Sequence, residues 1–274
     1  MGINLDKFES DFASKDATLV SLVKKSGITL DKHNLRGHIA KVAVCLDISG
    51  SMHSLYSQGK IAELVKKLIP IGLQFDDDGE IDIFTFGANG TQRNSMNLEN
   101  YSTELDGLAK YSLEGYTNYA KAITLVDNFY RSQDDVHQTP VYVMFITDGD
   151  ASDKKEATQA MKKISDIPVF VQFIALGADY MPSLSNKDAV ETAKPKGFFG
   201  KMFGSSDSTS STPKPPSNFQ FLCDIDDMSG RKVDNANFFA IKTPTSISEE
   251  VMYDLLMTEY PDFIKEAKSK GVLR

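Results

Sequence analysis

Residues 39–51 read IAKVAVCLDISGS, an apolar run that ends in one carboxylate and two hydroxyls. The run predicts a strand buried on both faces, and Asp47, Ser49 and Ser51 come at its carboxyl end, just before a helical pattern. Carboxylate and hydroxyl oxygens are hard donors of the kind that Mg²⁺ binds, and ligands of open α/β sheets bind beyond the carboxyl ends of the strands. The stretch therefore indicates a magnesium site at one edge of a sheet.

Two later segments carry similar groups at similar boundaries. Thr117 lies in a loop before a helical pattern, and Asp148 follows the apolar run of residues 141–146. Asp47 and the two serines by themselves are equally explained as a cap at the start of a helix, where both residue types are favoured. Because Thr117 and Asp148 follow later in the chain, in the expected order and at similar boundaries, the metal site is the favoured interpretation.

The pattern Asp-x-Ser-x-Ser, then Thr, then Thr-Asp-Gly resembles the metal-ion-dependent adhesion site of the von Willebrand factor A (VWA) domain. The resemblance implies that Ser49, Ser51 and Thr117 coordinate the ion directly, while Asp47 and Asp148 bind it directly or through water. It also implies that an Asp or Glu of a partner protein completes the coordination shell. The expected ion is Mg²⁺, with Mn²⁺ or Ca²⁺ as alternatives.

Three further residues are expected close to this site. Asp150 follows the Thr-Asp-Gly element and either adds negative charge behind the ligands or belongs to the turn that leads into the next helix. Tyr116 and Asn118 flank Thr117 in the sequence, so we expect both at the rim of the opening.

Apolar runs alternate with helical patterns along the chain, which is typical of a doubly wound α/β fold. We expect a mostly parallel, VWA/Rossmann-like sheet with one antiparallel edge strand and helices on both faces. The edge strand is predicted within residues 91–98. Asp153 and Glu156 predict a capped helix start, and Ser246 predicts the start of a C-terminal helix that reaches Tyr260.

The composition divides the chain into an N-terminal helical lead-in at residues 1–36 and a VWA domain at 37–274, interrupted by a flexible insertion at 194–217. The insertion is rich in Gly, Ser, Thr, Pro and Lys and cannot supply a core. Phenylalanines are interleaved with its lysines. It is therefore either a linker with one apolar anchor or a patch that touches a membrane surface or a partner groove.

Composition also excludes several classes of function. With a net charge of -8 the chain lacks the basic surface that phosphate binding requires, so we expect no nucleic acid partner. Cys45 and Cys223 lie in apolar surroundings and are expected to be free, buried thiols, which favours a cytoplasmic location. No apolar run reaches the length of a membrane span.

One group of VWA proteins is similar to most of the chain. Residues 25–35, 75–79 and 231–239 resemble the bacterial VWA proteins of the tellurium-resistance (Ter) stress group, and copines share this VWA type. The resemblance implies a protein-binding role in the response to tellurite or other chemical stress, or in phage defence. No residue in the sequence shows tellurium chemistry by itself.

An enzyme is the main alternative, since a haloacid-dehalogenase-type phosphatase also places an Asp after its first strand. That chemistry needs a second carboxylate two residues later, where this chain has Ser49. The turn after the strand also lacks the glycine pattern of a nucleotide-binding loop. We therefore expect a binding protein without catalytic residues, with a membrane-associated scaffold or a metal-dependent phosphatase as the alternatives.

Overall fold

The fold is an open six-stranded sheet with helices on both faces, seen in a computed structural model that describes residues 17–75, 78–181 and 216–274. The strands are β1 (Lys41–Asp47), β2 (Ile81–Phe86), β3 (Gly90–Gln92), β4 (Val141–Thr147), β5 (Val169–Leu176) and β6 (Ala236–Ile241). The α-helices are α1 (Ala17–Lys32), α2 (His53–Ser57), α3 (Lys60–Phe75), α4 (Tyr101–Leu108), α5 (Tyr119–Arg131), α6 (Lys154–Ile164), α7 (Gln220–Asp226), α8 (Glu249–Leu256) and α9 (Tyr260–Ser269).

The strand order across the described sheet is β3-β2-β1-β4-β5-β6, with β3 antiparallel to β2 and the other pairs parallel. From β1 the chain moves outward to β2 and β3, and then returns to β4 on the other side of β1. The strand order therefore reverses between β1 and β4, and this reversal opens the crevice in which doubly wound sheets bind ligands. The predicted fold class is confirmed.

The two faces of the sheet carry separate apolar clusters. Val42, Val44 and Leu46 of β1 point to the face covered by α1, α3, α8 and α9. Ala43 and Cys45 point to the opposite face, which is covered by α5, α6 and α7. Because both faces are buried, β1 contains apolar residues at successive positions instead of alternating with polar ones. Burial on both faces fixes the position of the polar residues that follow the strand.

The two cysteines are free thiols, as predicted, but they differ in burial. Cys45 is fully buried in β1, whereas Cys223 is half-buried on α7.

The antiparallel edge strand is shorter than the predicted range of 91–98. Regular pairing ends at Gln92, and beyond it a single bridge joins Met96 to Ile81. The side chain of Asn97 then accepts hydrogen bonds from the backbone N–H groups of Glu99 and Asn100, at 2.8 and 3.0 Å. An asparagine that bonds its own following backbone makes a turn, so the chain leaves the sheet and enters α4.

The capping pair predicted at the start of α6 is wrong. Asp153 occupies the N-cap position, but its side chain makes no capping hydrogen bond. Its Oδ2 instead accepts a hydrogen bond from the backbone N–H of Ala120, at 2.9 Å, in the first turn of α5. A carboxylate at a helix N-terminus satisfies a donor that the helix itself cannot pair. Asp153 therefore joins the starts of two neighbouring helices.

The C-terminal helix predicted from Ser246 to Tyr260 is shorter in the structure: α8 runs from Glu249 to Leu256, and a separate helix, α9, begins at Tyr260. The cap of α8 is Ser248, which accepts a hydrogen bond from the Val251 N–H at 3.3 Å. Pro261 lies in the first turn of α9, where a missing N–H costs nothing, so it opens this helix instead of interrupting the previous one.

The insertion predicted at 194–217 lies outside the described residues except for its last two positions. Ser217 begins a short 3-10 turn that ends at Phe219 and leads into α7. At the other end, α1 lies within the predicted lead-in at 1–36 and buries Leu19 and Val23 against the first cluster. The division into domains stays a prediction. Within the described residues, no helix is long and apolar enough to cross a membrane.

Candidate metal centre

The predicted ligands lie where two adjacent parallel strands end. β1 ends at Asp47, β4 ends one residue before Asp148, and the two strands pair in register, with Leu46 beside Ile146. Their carboxyl ends therefore reach the same edge of the sheet. This edge is at the reversal of strand order, where the fold leaves an open crevice.

A chain of hydrogen bonds joins four of the five predicted ligands. The Ser49 N–H donates to Asp47 Oδ1 at 2.7 Å, and the Ser49 and Ser51 hydroxyls lie 3.1 Å apart. Ser51 Oγ then donates to Asp148 Oδ1 at 2.7 Å. Asp47 and Ser49 are buried, whereas Ser51 is exposed, so the group opens to solvent on its Ser51 side. Two carboxylates and two hydroxyls thus converge in one place.

The fifth predicted ligand, Thr117, lies on the loop that leads into α5. Its backbone N–H donates to Ser152 Oγ at 3.0 Å, and its carbonyl accepts from the Ser152 N–H at 2.9 Å. On either side of it, the Glu114 N–H donates to Ile48 O, and the Asn118 N–H donates to Gly87 O. These bonds fix the Thr117 loop against the Asp148 loop and against the residues that follow β1 and β2.

Sequence reasoning missed a buried polar network beneath this group. Thr147 Oγ1 donates to Asp47 Oδ2 at 2.7 Å, so both oxygens of the Asp47 carboxylate have a hydrogen-bond donor. The Tyr119 hydroxyl lies 3.2 Å from Thr147 Oγ1 and 2.5 Å from Gly149 O, while the Tyr56 hydroxyl donates to Asp47 O at 2.8 Å. Thr147 stood within the quoted Thr-Asp-Gly motif, but sequence gave no sign that its hydroxyl faces Asp47.

Burial destabilises the charge of both carboxylates. Removal from water raises the pKa of Asp47 to about 6, although hydrogen bonds from Thr147 and Ser49 oppose the shift. Burial also raises the pKa of Asp148, and the bond from Ser51 opposes it. A divalent cation held between these groups would reverse both shifts, because an adjacent positive charge favours the ionised form. The charge balance therefore fits a bound cation.

The donor set also fits a hard cation. Within the described ranges, no group of three or more His, Cys, Asp or Glu side chains is arranged to hold a metal ion. The hydrogen-bonded group has two carboxylates and the hydroxyls of Ser49 and Ser51 as oxygen ligands, while Thr117 stays a predicted ligand whose described bonds are backbone bonds to Ser152. If the hydroxyls bind a magnesium ion directly and the two carboxylates bind it through water, the direct ligands are neutral and the ion would attract a further anionic ligand.

The three neighbouring residues differ in what they can contribute. Asp150 Oδ2 pairs with Lys154 Nζ at 2.6 Å, across the start of α6, as expected for a residue of the turn that leads into this helix. Asn118 Nδ2 donates to Ala88 O at 3.1 Å and ties the Thr117 loop to the turn after β2. Tyr116 is 74% exposed, so its ring is open to contact by another molecule.

The backbone of Tyr116 is strained. Its φ is +60°, in the left-handed region that side chains other than glycine adopt at some cost. Such strain persists where the surrounding structure imposes it, and it is concentrated at functional sites.

We expect Thr147→Val to weaken magnesium binding by roughly 10- to 100-fold, the usual effect of removing a group that orients a metal ligand. Valine keeps the shape of threonine but leaves Asp47 Oδ2 without its donor. Isothermal titration of the purified protein with Mg²⁺ measures the effect. Thr85→Val, at a buried threonine of β2, is the matched control and should keep the wild-type affinity. Equal affinity in both variants would contradict a role of Thr147 in holding Asp47.

The fold and its motifs define the VWA class of domain. The sheet is doubly wound, Asp-x-Ser-x-Ser follows β1, a loop with a threonine precedes α5, and Thr-Asp-Gly lies at the end of β4. The family model vWA-TerF-like, described as the VWA domain found in the C terminus of TerF, matches residues 39–199 and 185–273. The chain therefore belongs to the vWA-TerF-like family. VWA domains are commonly protein-interaction modules, in keeping with a binding protein rather than an enzyme.

Individual proteins similar to this chain include one full-length relative. The uncharacterized protein YcbR of Bacillus subtilis is 28% identical over 259 residues, which cover 93% of this chain and 90% of YcbR. An aerotolerance-related membrane protein from Bacteroides fragilis has 20% identity and a TM-score of 0.48 over 80% of this chain and 99% of its own. The VWA domain of SpRpn10 has 11% identity and a TM-score of 0.45 over 78% and 93%.

Proposed function

We propose that this protein is a magnesium-dependent protein-binding module, in which Asp47, Ser49, Ser51, Thr117 and Asp148 hold the ion. The observation that carries the proposal is the convergence of the buried Asp47 carboxylate, the half-buried Asp148 carboxylate and two serine hydroxyls at the strand reversal, linked by hydrogen bonds of 2.7 to 3.1 Å. Mn²⁺ or Ca²⁺ are alternative ions, since both also accept oxygen ligands.

The chemistry of the ligands defines the kind of partner. An ion that is held by neutral hydroxyls and two carboxylates keeps an affinity for one more anionic oxygen, and the exposed Ser51 side of the group gives a partner access to it. A partner with an exposed Asp or Glu would supply that oxygen. The net charge of -8 makes a phosphate-rich nucleic acid an unsuitable partner.

Membership of the TerF-like family supports a place for this module in a bacterial tellurite, chemical-stress or phage-defence complex. We place it in the cytoplasm, because the two cysteines are free thiols. A phosphatase activity is not proposed, because Ser49 lies where a second catalytic carboxylate would be required.

We expect Thr117→Ala to abolish the binding of protein partners that wild-type protein retains in magnesium and releases in EDTA. The substitution removes one hydroxyl donor but keeps the backbone bonds of residue 117 to Ser152. A pull-down from the native cell, compared with and without chelator, measures this loss. Thr158→Ala on α6, whose hydroxyl bonds the Lys154 carbonyl, is the matched control. Partners that stay bound to Thr117→Ala, or that ignore the chelator, would contradict the proposed function.

A further inference from the structure

A polar pocket lies between the end of β3 and helix α4. Its volume is about 500 Å³, and it is lined by Gln92, Arg93, Asn94, Glu104 and Tyr111. Pockets of about 300 to 1,000 Å³ with a few convergent polar groups are the usual sites for small ligands. None of the five residues belongs to the predicted metal centre, so the pocket is available for a separate role.

The Arg93 side chain is held in place by two neighbours. Its Nε donates a hydrogen bond to the buried Thr85 hydroxyl at 2.9 Å, and its guanidinium carbon lies 4.9 Å from the centre of the Tyr111 ring. Its backbone is also fixed, because the Arg93 N–H donates to Ile83 O at 2.8 Å. An aromatic face attracts a guanidinium, so the position of this cation is set before any ligand binds.

The positive charge of Arg93 has no acidic partner in the part of the chain that the structure describes. Of its three side-chain nitrogens, only Nε has an acceptor there. By contrast, Arg36, Arg131 and Arg231 each form an ion pair with an aspartate. Arg93 is half-buried, and its Nη1 and Nη2 keep their donors for another molecule. The planar arrangement of these donors fits the two oxygens of a carboxylate.

Glu104 brings the opposite charge to the same pocket. It is half-buried on α4, and its carboxylate forms no hydrogen bond or ion pair with the described residues. Burial raises the pKa of Tyr111, while the charge of Arg93 opposes this shift and that of Glu104 adds to it, so both charges act on one ring. A ligand with negative charge alone would be repelled by Glu104, whereas a ligand with both charges would compensate both residues.

We propose that this pocket binds a small zwitterionic ligand of the amino-acid class, with its carboxylate on Arg93 and its ammonium group on Glu104. The inference does not rest on the proposed metal-dependent function. The ligand carboxylate accepts two parallel hydrogen bonds from the guanidinium, and Glu104 accepts from the ammonium group. The amide groups of Gln92 and Asn94, which line the same pocket, can bond to further polar atoms of the ligand.

The test is a saturation-transfer NMR screen of the full chain against the twenty free amino acids. The protein is first stripped of metal with EDTA and dialysed, because an ion at the metal centre could bind a carboxylate by itself. Amino acids that bind are then titrated while the Nε–Hε resonance of Arg93 is followed. We expect at least one of them to bind and to shift this resonance. A screen in which none of the twenty binds would overturn the inference.

Substitutions locate the binding site. Arg93→Gln and Glu104→Gln should each weaken binding by at least about tenfold, the usual loss for one charge-assisted hydrogen bond. Arg36→Gln and Glu99→Gln are the matched controls, because both residues are exposed and lie outside the pocket, and each should keep the wild-type affinity. Where Arg93→Gln does not fold, Arg93→Lys keeps the charge but loses the paired donors and should also bind more weakly. Wild-type affinity in a folded Arg93 variant would contradict the assignment.

Singly charged probes test whether both charges of the ligand are needed. Acetate, methylamine and inorganic phosphate each lack one of the two charges, so each should bind at least about tenfold more weakly than the best amino acid. Acetate or phosphate that binds as tightly as the best amino acid would overturn the zwitterionic ligand. Because the assay contains no divalent metal, failure of this inference would leave the proposed metal-dependent function unaffected.

Discussion

Asp47→Asn should abolish the stabilisation of the fold by magnesium. An ion that binds only the native state stabilises it by about 2.7 kcal/mol at a concentration 100 times its Kd. For a chain of this size, this raises the melting temperature by roughly 5 to 10 °C. Asparagine keeps the shape of the side chain but removes the charge that lies between the Ser49 N–H and the Thr147 hydroxyl. Differential scanning calorimetry with and without magnesium measures the effect.

The control for this experiment is Asp82→Asn. Asp82 is also a carboxylate of a central strand, and it accepts a hydrogen bond from the Tyr130 hydroxyl at 2.6 Å, away from the metal centre. Its substitution should change the melting temperature without metal but leave the magnesium-dependent shift intact. A shift of equal size in Asp47→Asn and wild type would show that magnesium stabilises the protein at another place.

Glu259→Gln should stabilise the protein above neutral pH. Burial, followed by repulsion from Asp234, raises the pKa of Glu259 to about 7. Burial and repulsion from Glu259 also raise the pKa of Asp226 well above its usual range. Glutamine removes a half-buried negative charge that Asp234 repels. Both residues retain some exposure, so we expect a gain of about 1–2 kcal/mol at about pH 8, below the full value of the shift.

The direction of the stability change follows from the direction of the pKa shift of Glu259. A carboxyl with a raised pKa in the folded state stabilises the fold while it is protonated, and this contribution falls as pH rises from about 4 toward the raised value. Glu259→Gln should therefore match wild type near pH 4 and exceed it at about pH 8. Urea unfolding at both pH values measures the difference. The exposed Glu99→Gln is the control, and a Glu259→Gln variant no more stable than this control at the higher pH would refute the prediction.

The predictions for Asp47 and Glu259 both concern carboxylates whose negative charge destabilises the fold. The two sites differ in the neighbouring groups that can offset this charge. Asp47 has three oxygen-bearing neighbours that can share a cation with it, namely Ser49, Ser51 and Asp148. Asp226 and Glu259 have Arg231 nearby, which lowers both pKa values without restoring them. The Asp226 and Glu259 cluster therefore shows what burial and repulsion between carboxylates do together to the pKa of a carboxyl group.

The sequence alone determined the fold class and the neighbourhood of the site. Alternating apolar runs and helical patterns predict a doubly wound sheet, because each element must bury one face or both. In a parallel sheet, the ends of β1 and β4 must reach the same edge. The meeting of Asp47, Ser49, Ser51 and Asp148 could thus be predicted from order and spacing, while metal binding by them stays a proposal.

Tertiary structure decided how those groups are held. The partner of Asp47 Oδ2 is Thr147, a hundred residues away, and Asp153 bonds Ala120 across two helices. Spacing in the sequence reports which side of an element a residue occupies, but it does not report which distant hydroxyl or N–H faces it. The predicted capping pair at Asp153 failed for this reason, since the nearest donor came from α5.

The sequence predicted an antiparallel edge strand within residues 91–98, but it did not determine the pairing register of β3. The structure pairs Thr91 with Thr85 and ends the regular pairing at Gln92. Gly90 lets β3 approach α5 closely, because a Cβ at this position would lie 3.0 Å from the Lys121 carbonyl oxygen. Local pattern determines where strands and helices form, whereas the packing of distant segments determines which backbone groups, charges and grooves remain for a partner to bind.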